Sequence, residues 1–138
     1  MSKAYTPSKS SSILNEPVAV YGQANYYTLA QQSISKDYIK HVLNVSKLSI
    51  NELIGIIPIS IDTYKRKNQF NSNVTEKVLE IEQVYNTGLK AFGEGFHHWM
   101  NTKNVAIGGI IPKTLLSNSF GIRRLIDEIG RMEHGVLA

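Results

Sequence analysis

Residues 75–93 read TEKVLEIEQVYNTGLKAFG. Val78, Ile81, Tyr85, Leu89 and Phe92 recur three or four positions apart, which puts them on one face of a helix; strict alternation, the mark of a strand, is missing. Thr75 can cap the start, and Gly93 can end it. This is the longest helix the sequence offers, and with further helical periods on both sides it sets the fold class for the chain.

The same period continues on both sides. Upstream, SKDYIKHVLNVSK brings Tyr38, Ile39, Val42, Leu43 and Val45 together, with Ser35 as N-cap. SINELIGII follows, and Ser49 with Glu52 three residues on has the spacing of a capping box. After Pro58 a second short helix, SIDTYKRKN, starts from Ser60. Downstream, EGFHHWMN makes a short helix, and TKNVAIGGIIPKT is a loop punctuated by Gly108, Gly109 and Pro112. The last helix, FGIRRLIDEIGRMEHG, buries Ile122, Leu125, Ile126, Ile129 and Met132, and its wet face carries the i,i+4 pairs Arg124–Glu128 and Asp127–Arg131. No segment reads as a strand. The expected fold is all-α: an arm without periodicity over 1–25, a helix-turn-helix unit over 26–74, a connecting helix over 75–92 and a small helical domain over 93–138.

A chain of 138 residues that is 42% hydrophobic can build a modest core. Cysteine is absent, which removes disulfides and thiolate metal sites and suits a reducing compartment. With neither a signal-peptide pattern nor an apolar run of roughly 20 residues, the expectation is a soluble cytoplasmic protein. The net charge of +4 is unevenly placed: residues 1–25 contribute +1, residues 26–67 contribute +3, and residues 68–138 balance. A cationic half joined to a neutral half suits a polyanion-binding module attached to something else.

That cationic half contains LSINELIGIIPISIDTYKRKN, helix, turn, helix and a basic end, which is the shape of a helix-turn-helix. Ser60, Asp62 and Thr63 would face base edges in the major groove, and Lys65, Arg66 and Lys67 would meet phosphates. An ordinary αα-hairpin with a solvated basic end fits the same pattern. Ile54 stands where such motifs carry a small residue, and Pro58 stands where a residue with positive φ is wanted, so the turn must be non-standard.

Enzyme chemistry finds little support. The adjacent His97 and His98 point about 100° apart on a helix and lack a third ligand, so no metal site is expected. Glu133 and His134 have no evident nucleophile, phosphate loop or metal to serve, and VAIGGI lacks the strand-to-helix context of dinucleotide binding. No catalytic residue, cofactor or small-molecule substrate is assigned.

The stretch from residue 91 to 138 resembles the toxin-binding domain of the Xre/MbcA/ParS antitoxins of bacterial type II toxin–antitoxin systems. The resemblance is carried by Phe92 and Gly93, by Trp99, Asn104, Gly108, Gly109, Pro112, Leu115 and Leu116 at their mutual spacing, and by the closing Gly130, Arg131, Glu133, His134, Gly135 and Val136. Residues 26–90 look like the helix-turn-helix part of the same family. The resemblance implies a RES-domain, NAD-degrading toxin as partner, operator DNA as a second partner, and repression of the shared promoter by a homodimer. It turns the charged C-terminal run into a recognition surface: Arg123, Arg124, Arg131, Glu133, His134, Val136, Leu137 and Ala138. Glu133 or the terminal carboxylate of Ala138 would mimic the anionic substrate of the toxin. The stripe Val78, Ile81, Tyr85 and Leu89 is either a dimer face or internal core. The alternative is a stand-alone helix-turn-helix regulator whose C-terminal half serves dimerisation.

Overall fold

In the computed structural model, which describes residues 13–15 and 23–135, the long helix starts at Asn71 rather than Thr75. The Asn71 side chain accepts hydrogen bonds from the N–H groups of Asn73 and Val74, satisfying two donors that a helix start leaves open. Thr75 is thereby one turn inside the helix, where its hydroxyl donates to the Gln32 carbonyl at 2.6 Å. Both residues are good caps, and the one whose side chain reaches the free N–H groups sets the boundary.

The element order is β1 (Ile13–Leu14), α1 (Gln23–Leu29), β2 (Ser33–Ser35), α2 (Lys36–Ser46), α3 (Ile50–Ile54), α4 (Ile61–Arg66), β3 (Gln69–Phe70), α5 (Ser72–Phe92), α6 (Gly95–Met100), two 3-10 helices (Val105–Ile107 and Pro112–Ser117) and α7 (Ser119–Glu133). The fold is predominantly helical, as expected. The three short strands were not expected. β1 pairs parallel with β2, and β2 antiparallel with β3. Elements of two or three residues are too short to show a period of two, so only tertiary pairing reveals them. Ile13 and Leu14 fall in the segment read as an arm, yet Leu14 is buried in the core. Residues 1–12 and 16–22 lie outside the described residues.

The caps inferred from sequence form. Ser35 accepts from Tyr38 N–H, Ser60 accepts from Thr63 N–H, and Ser49 with Glu52 closes a reciprocal capping box. The turn between α3 and α4 contains Pro58 and is made without any positive-φ residue; Gly55, at the end of α3, has φ −69°. Ile54 is half-buried and packs against the core.

α5 is a shared spine rather than a connector. One hydrophobic core joins Ile34, Ile39 and Val42 on one side to Leu116, Leu125 and Ile129 on the other, through Val78, Ile81, Val84 and Tyr85 of α5. Each fully buried aliphatic side chain there stabilises the fold by roughly 1.5–3 kcal/mol relative to exposure. The stripe Val78, Ile81 and Tyr85 is at most 1% exposed, with Leu89 half-buried. It is therefore internal core, and a dimer face built on it is ruled out. Gly88 belongs to the same packing: an added Cβ would sit 2.2 Å from the Phe96 ring of α6. A glycine in mid-helix lets the aromatic ring lie directly on the backbone.

Polar groups also enter this core. Glu82, only 1% exposed, accepts a 2.6 Å hydrogen bond from the Tyr38 hydroxyl and lies 3.7 Å from His41 Nε2. Burial raises the carboxyl pKa of Glu82, and the Tyr38 bond opposes the shift. Among the described residues, no helix is long and apolar enough to cross a membrane.

Candidate functional site

At α4, Ser60, Asp62, Lys65, Arg66 and Lys67 are exposed, and Thr63 is half-buried. The Ser60 hydroxyl accepts from Thr63 N–H and donates to the Thr63 hydroxyl at 3.0 Å. Both hydroxyls thus stabilise the first turn, leaving Asp62 as the polar side chain there without a capping role. Lys65, Arg66 and Lys67 form no ion pair among the described residues. Lys36 steadies this corner from α2: its ammonium donates to the Lys65 carbonyl at 3.2 Å and lies 4.9 Å from the centroid of the Tyr64 ring.

In the C-terminal third, close backbone contacts fix the geometry. Asn104 N–H donates to the Ile110 carbonyl, Gly109 N–H donates to the Asn104 carbonyl, and the Asn104 side chain accepts from Ala106 N–H. Gly108 and Gly109 have φ of 89° and 78°, a region where a side chain would be strained, so the loop folds back within six residues. Pro112 then occupies the first position of a 3-10 helix, where no N–H is required. Gly121, in the first turn of α7, packs so closely that an added Cβ would lie 2.0 Å from the Leu115 carbonyl oxygen. Trp99 is half-buried and stacks on Phe96 at 5.7 Å between ring centroids.

α7 divides cleanly. Ile122, Leu125 and Ile129 point into the core, with Ile126 and Met132 half-buried. Glu128 is a correction to the sequence reading: it is 5% exposed, off the wet face, and pairs with Arg131 at 2.9 Å three residues on. Asp127, an exposed neighbour, is not the partner of Arg131, because the buried carboxylate gains more from a charged hydrogen bond. Arg123, Arg124, Arg131, Glu133 and His134 are exposed. His134 Nδ1 lies 2.9 Å from the Gly130 carbonyl, where a ring N–H closes the last turn, and Gly135 follows with φ 84°. Val136, Leu137 and Ala138 lie outside the described residues.

Two exposed apolar side chains, Val105 (91% exposed) and Phe120 (79%), were not singled out from the sequence. The signal was present for Phe120: it lies two positions before Ile122, about 200° around a helix from the buried stripe. Among the described residues, no group of three His, Cys, Asp or Glu side chains could hold a metal ion.

The two halves are also tied by charge. Lys113, in the second 3-10 helix, meets Glu52 of the α3 capping box at 2.6 Å, and Lys47 meets Glu94 at 3.4 Å. The hydrogen bond from Lys113, then that from Ser49 N–H, lowers the Glu52 carboxyl pKa.

Residues 91–135 match the family described as antitoxin Xre/MbcA/ParS C-terminal toxin-binding domain. An antitoxin Xre of Photorhabdus laumondii is 22% identical over 107 residues, covering 72% of each chain. The matched segment coincides with α6, the two-glycine loop, the proline-initiated 3-10 helix and α7. Residues 91–135 are therefore a C-terminal domain of the Xre/MbcA/ParS antitoxin family, carried by a chain that is similar to an antitoxin over most of its length.

Proposed function

We propose that this protein is the antitoxin of a type II toxin–antitoxin pair, and that it binds and neutralises a RES-domain, NAD-degrading toxin through residues 93–138. The family match of residues 91–135 carries this reading. The exposed Arg123, Arg124, Arg131, Glu133 and His134 are the polar part of the toxin-binding surface, and Val136, Leu137 and Ala138 extend it. The protein acts by binding rather than by turnover. Glu133 is exposed, and the His134 ring is engaged by its own helix, so neither is prepared as a general acid or base. Co-expression with the protein encoded beside it tests the proposal: the two should purify as one complex that no longer consumes NAD. Two separate proteins, with the neighbour still active, would refute it.

The same chain is proposed to repress its own promoter through α4, in the cytoplasm, as two copies on a two-fold operator. Lys65, Arg66 and Lys67 would contact phosphates, Asp62 a base edge, and Ser60 and Thr63 would hold the first turn in position. Their exposure, and the lack of an ion pair for any of the three cations among the described residues, support this. Replacing the three cations by alanine should weaken binding to every DNA sequence and flatten its salt dependence. Unaltered promoter affinity would place the DNA contact elsewhere.

A further inference from the structure

Four large hydrophobic side chains are exposed among the described residues, and three of them, Phe92, Val105 and Phe120, lie within the segment matched to the toxin-binding family. Phe120 is the one set most firmly. It sits in the first turn of α7, which is capped by the Asn118 side chain at Gly121 N–H, pinned through Gly121 to the Leu115 backbone, and tied by the Ser119 hydroxyl to Glu80 of α5 at 2.9 Å. An aromatic ring on such a fixed turn loses little freedom when a partner covers it.

Its surroundings indicate the partner. Phe120, Arg123, Arg124, Asp127 and Arg131 are spaced along one face of α7 and are all exposed. The Arg123 guanidinium lies 5.2 Å from the centroid of the Phe120 ring. Arg123 and Arg124 form no ion pair among the described residues, while Arg131 is shared with Glu128. The face is thus an aromatic ring edged by two cations that form no ion pair among the described residues, and Arg131 carries it to the last turn of α7. From this the geometry points to Phe120 as the apolar anchor of the toxin interface, received by an apolar socket with an acidic rim that Arg123 and Arg124 meet. This rests on the antitoxin reading above. It adds a second point of attachment, at the opposite end of α7 from the C-terminal run.

The test measures the affinity of the full chain for the purified product of the neighbouring gene, with sedimentation and thermal melting on each variant. Phe120→Ala should melt like the wild type and lose about thirtyfold or more in toxin affinity, as a central aromatic anchor does. Phe120→Tyr should restore most of it. Arg123→Glu should weaken binding and reduce its dependence on salt, since part of the attraction to an acidic rim is replaced by repulsion. If the wild type binds and Phe120→Ala binds equally well, the anchor is wrong while the antitoxin reading stands. If Phe120→Ala instead dissociates a homodimer and leaves toxin affinity intact, the face belongs to a second copy and the anchor is again wrong. Failure of the wild type to bind would remove the antitoxin reading and the anchor with it.

Discussion

α5 and α7 are both amphipathic by sequence, yet they are used in opposite ways. α5 buries residues around much of its circumference: Val78, Ile81 and Tyr85 on its expected stripe, and also Val74, Leu79, Val84, Gly88 and even Glu82. α7 buries a narrow face and leaves a ring and several arginines in water. One helix has spent its surface on internal packing, and the other has surface left for a partner. Length and hydrophobic period do not distinguish them; the elements lying alongside do.

Substitutions sharpen this contrast. On the α5 side, Phe96→Ala should have the largest effect. It empties the space over Gly88 and removes the edge contact with Tyr85 at 5.7 Å, so it should cost about 3–5 kcal/mol of stability in urea denaturation. A loss below about 1 kcal/mol would mean that the α5–α6 contact is loose. Gly121→Ala should come next, since the added methyl meets backbone rather than a movable side chain. A loss of about 1–3 kcal/mol is expected from such overpacking, read in the same assay.

Glu82→Gln should act in the other direction. A carboxyl whose folded pKa lies above its unfolded value binds its proton more tightly in the native state. Its favourable contribution is therefore complete below the unfolded pKa and is lost as pH rises through the folded one. At neutral pH the buried carboxylate is a burden that glutamine removes while still accepting from Tyr38. The variant should be more stable than wild type by about 1 kcal/mol at neutral pH, and the gap should close as pH falls toward the carboxylate range. A variant less stable than wild type at neutral pH would show that the fold favours the ionised carboxylate at this site. The smallest effect belongs to α7: Arg123→Ala with Arg124→Ala should change stability by no more than about 0.5 kcal/mol, because both are exposed and neither forms an ion pair among the described residues.

What could be read beforehand follows the same division. The caps at Ser35, Ser49 and Ser60, the Gly93 stop and the Pro112 start were legible because each is a local event within four residues. The buried face of α7 was legible from its period. The pairing of Ile13 and Leu14 with β2, the choice of Asn71 over Thr75, and the withdrawal of Glu128 from the wet face all depend on residues distant in sequence or on a choice between equal local candidates. The role of the Val78 stripe was undecidable from one helix, since an apolar face looks the same whether α2 and α7 or a second subunit covers it. Of the candidate site, the arginines of α7 were readable as exposed, but Phe120 was absorbed into the apolar helix that follows it.

In the proposed function, the C-terminal domain neutralises a toxin through the outer face of α7 while α5 serves as scaffold. The most direct test titrates the NAD-consuming activity of the neighbouring gene product with the wild-type chain and with an Arg123→Glu, Arg124→Glu double variant matched in thermal stability. Wild type should abolish turnover near one equivalent per toxin site, and the double variant should need a large excess. Equal inhibition by both, or no inhibition by either, would contradict the proposed function.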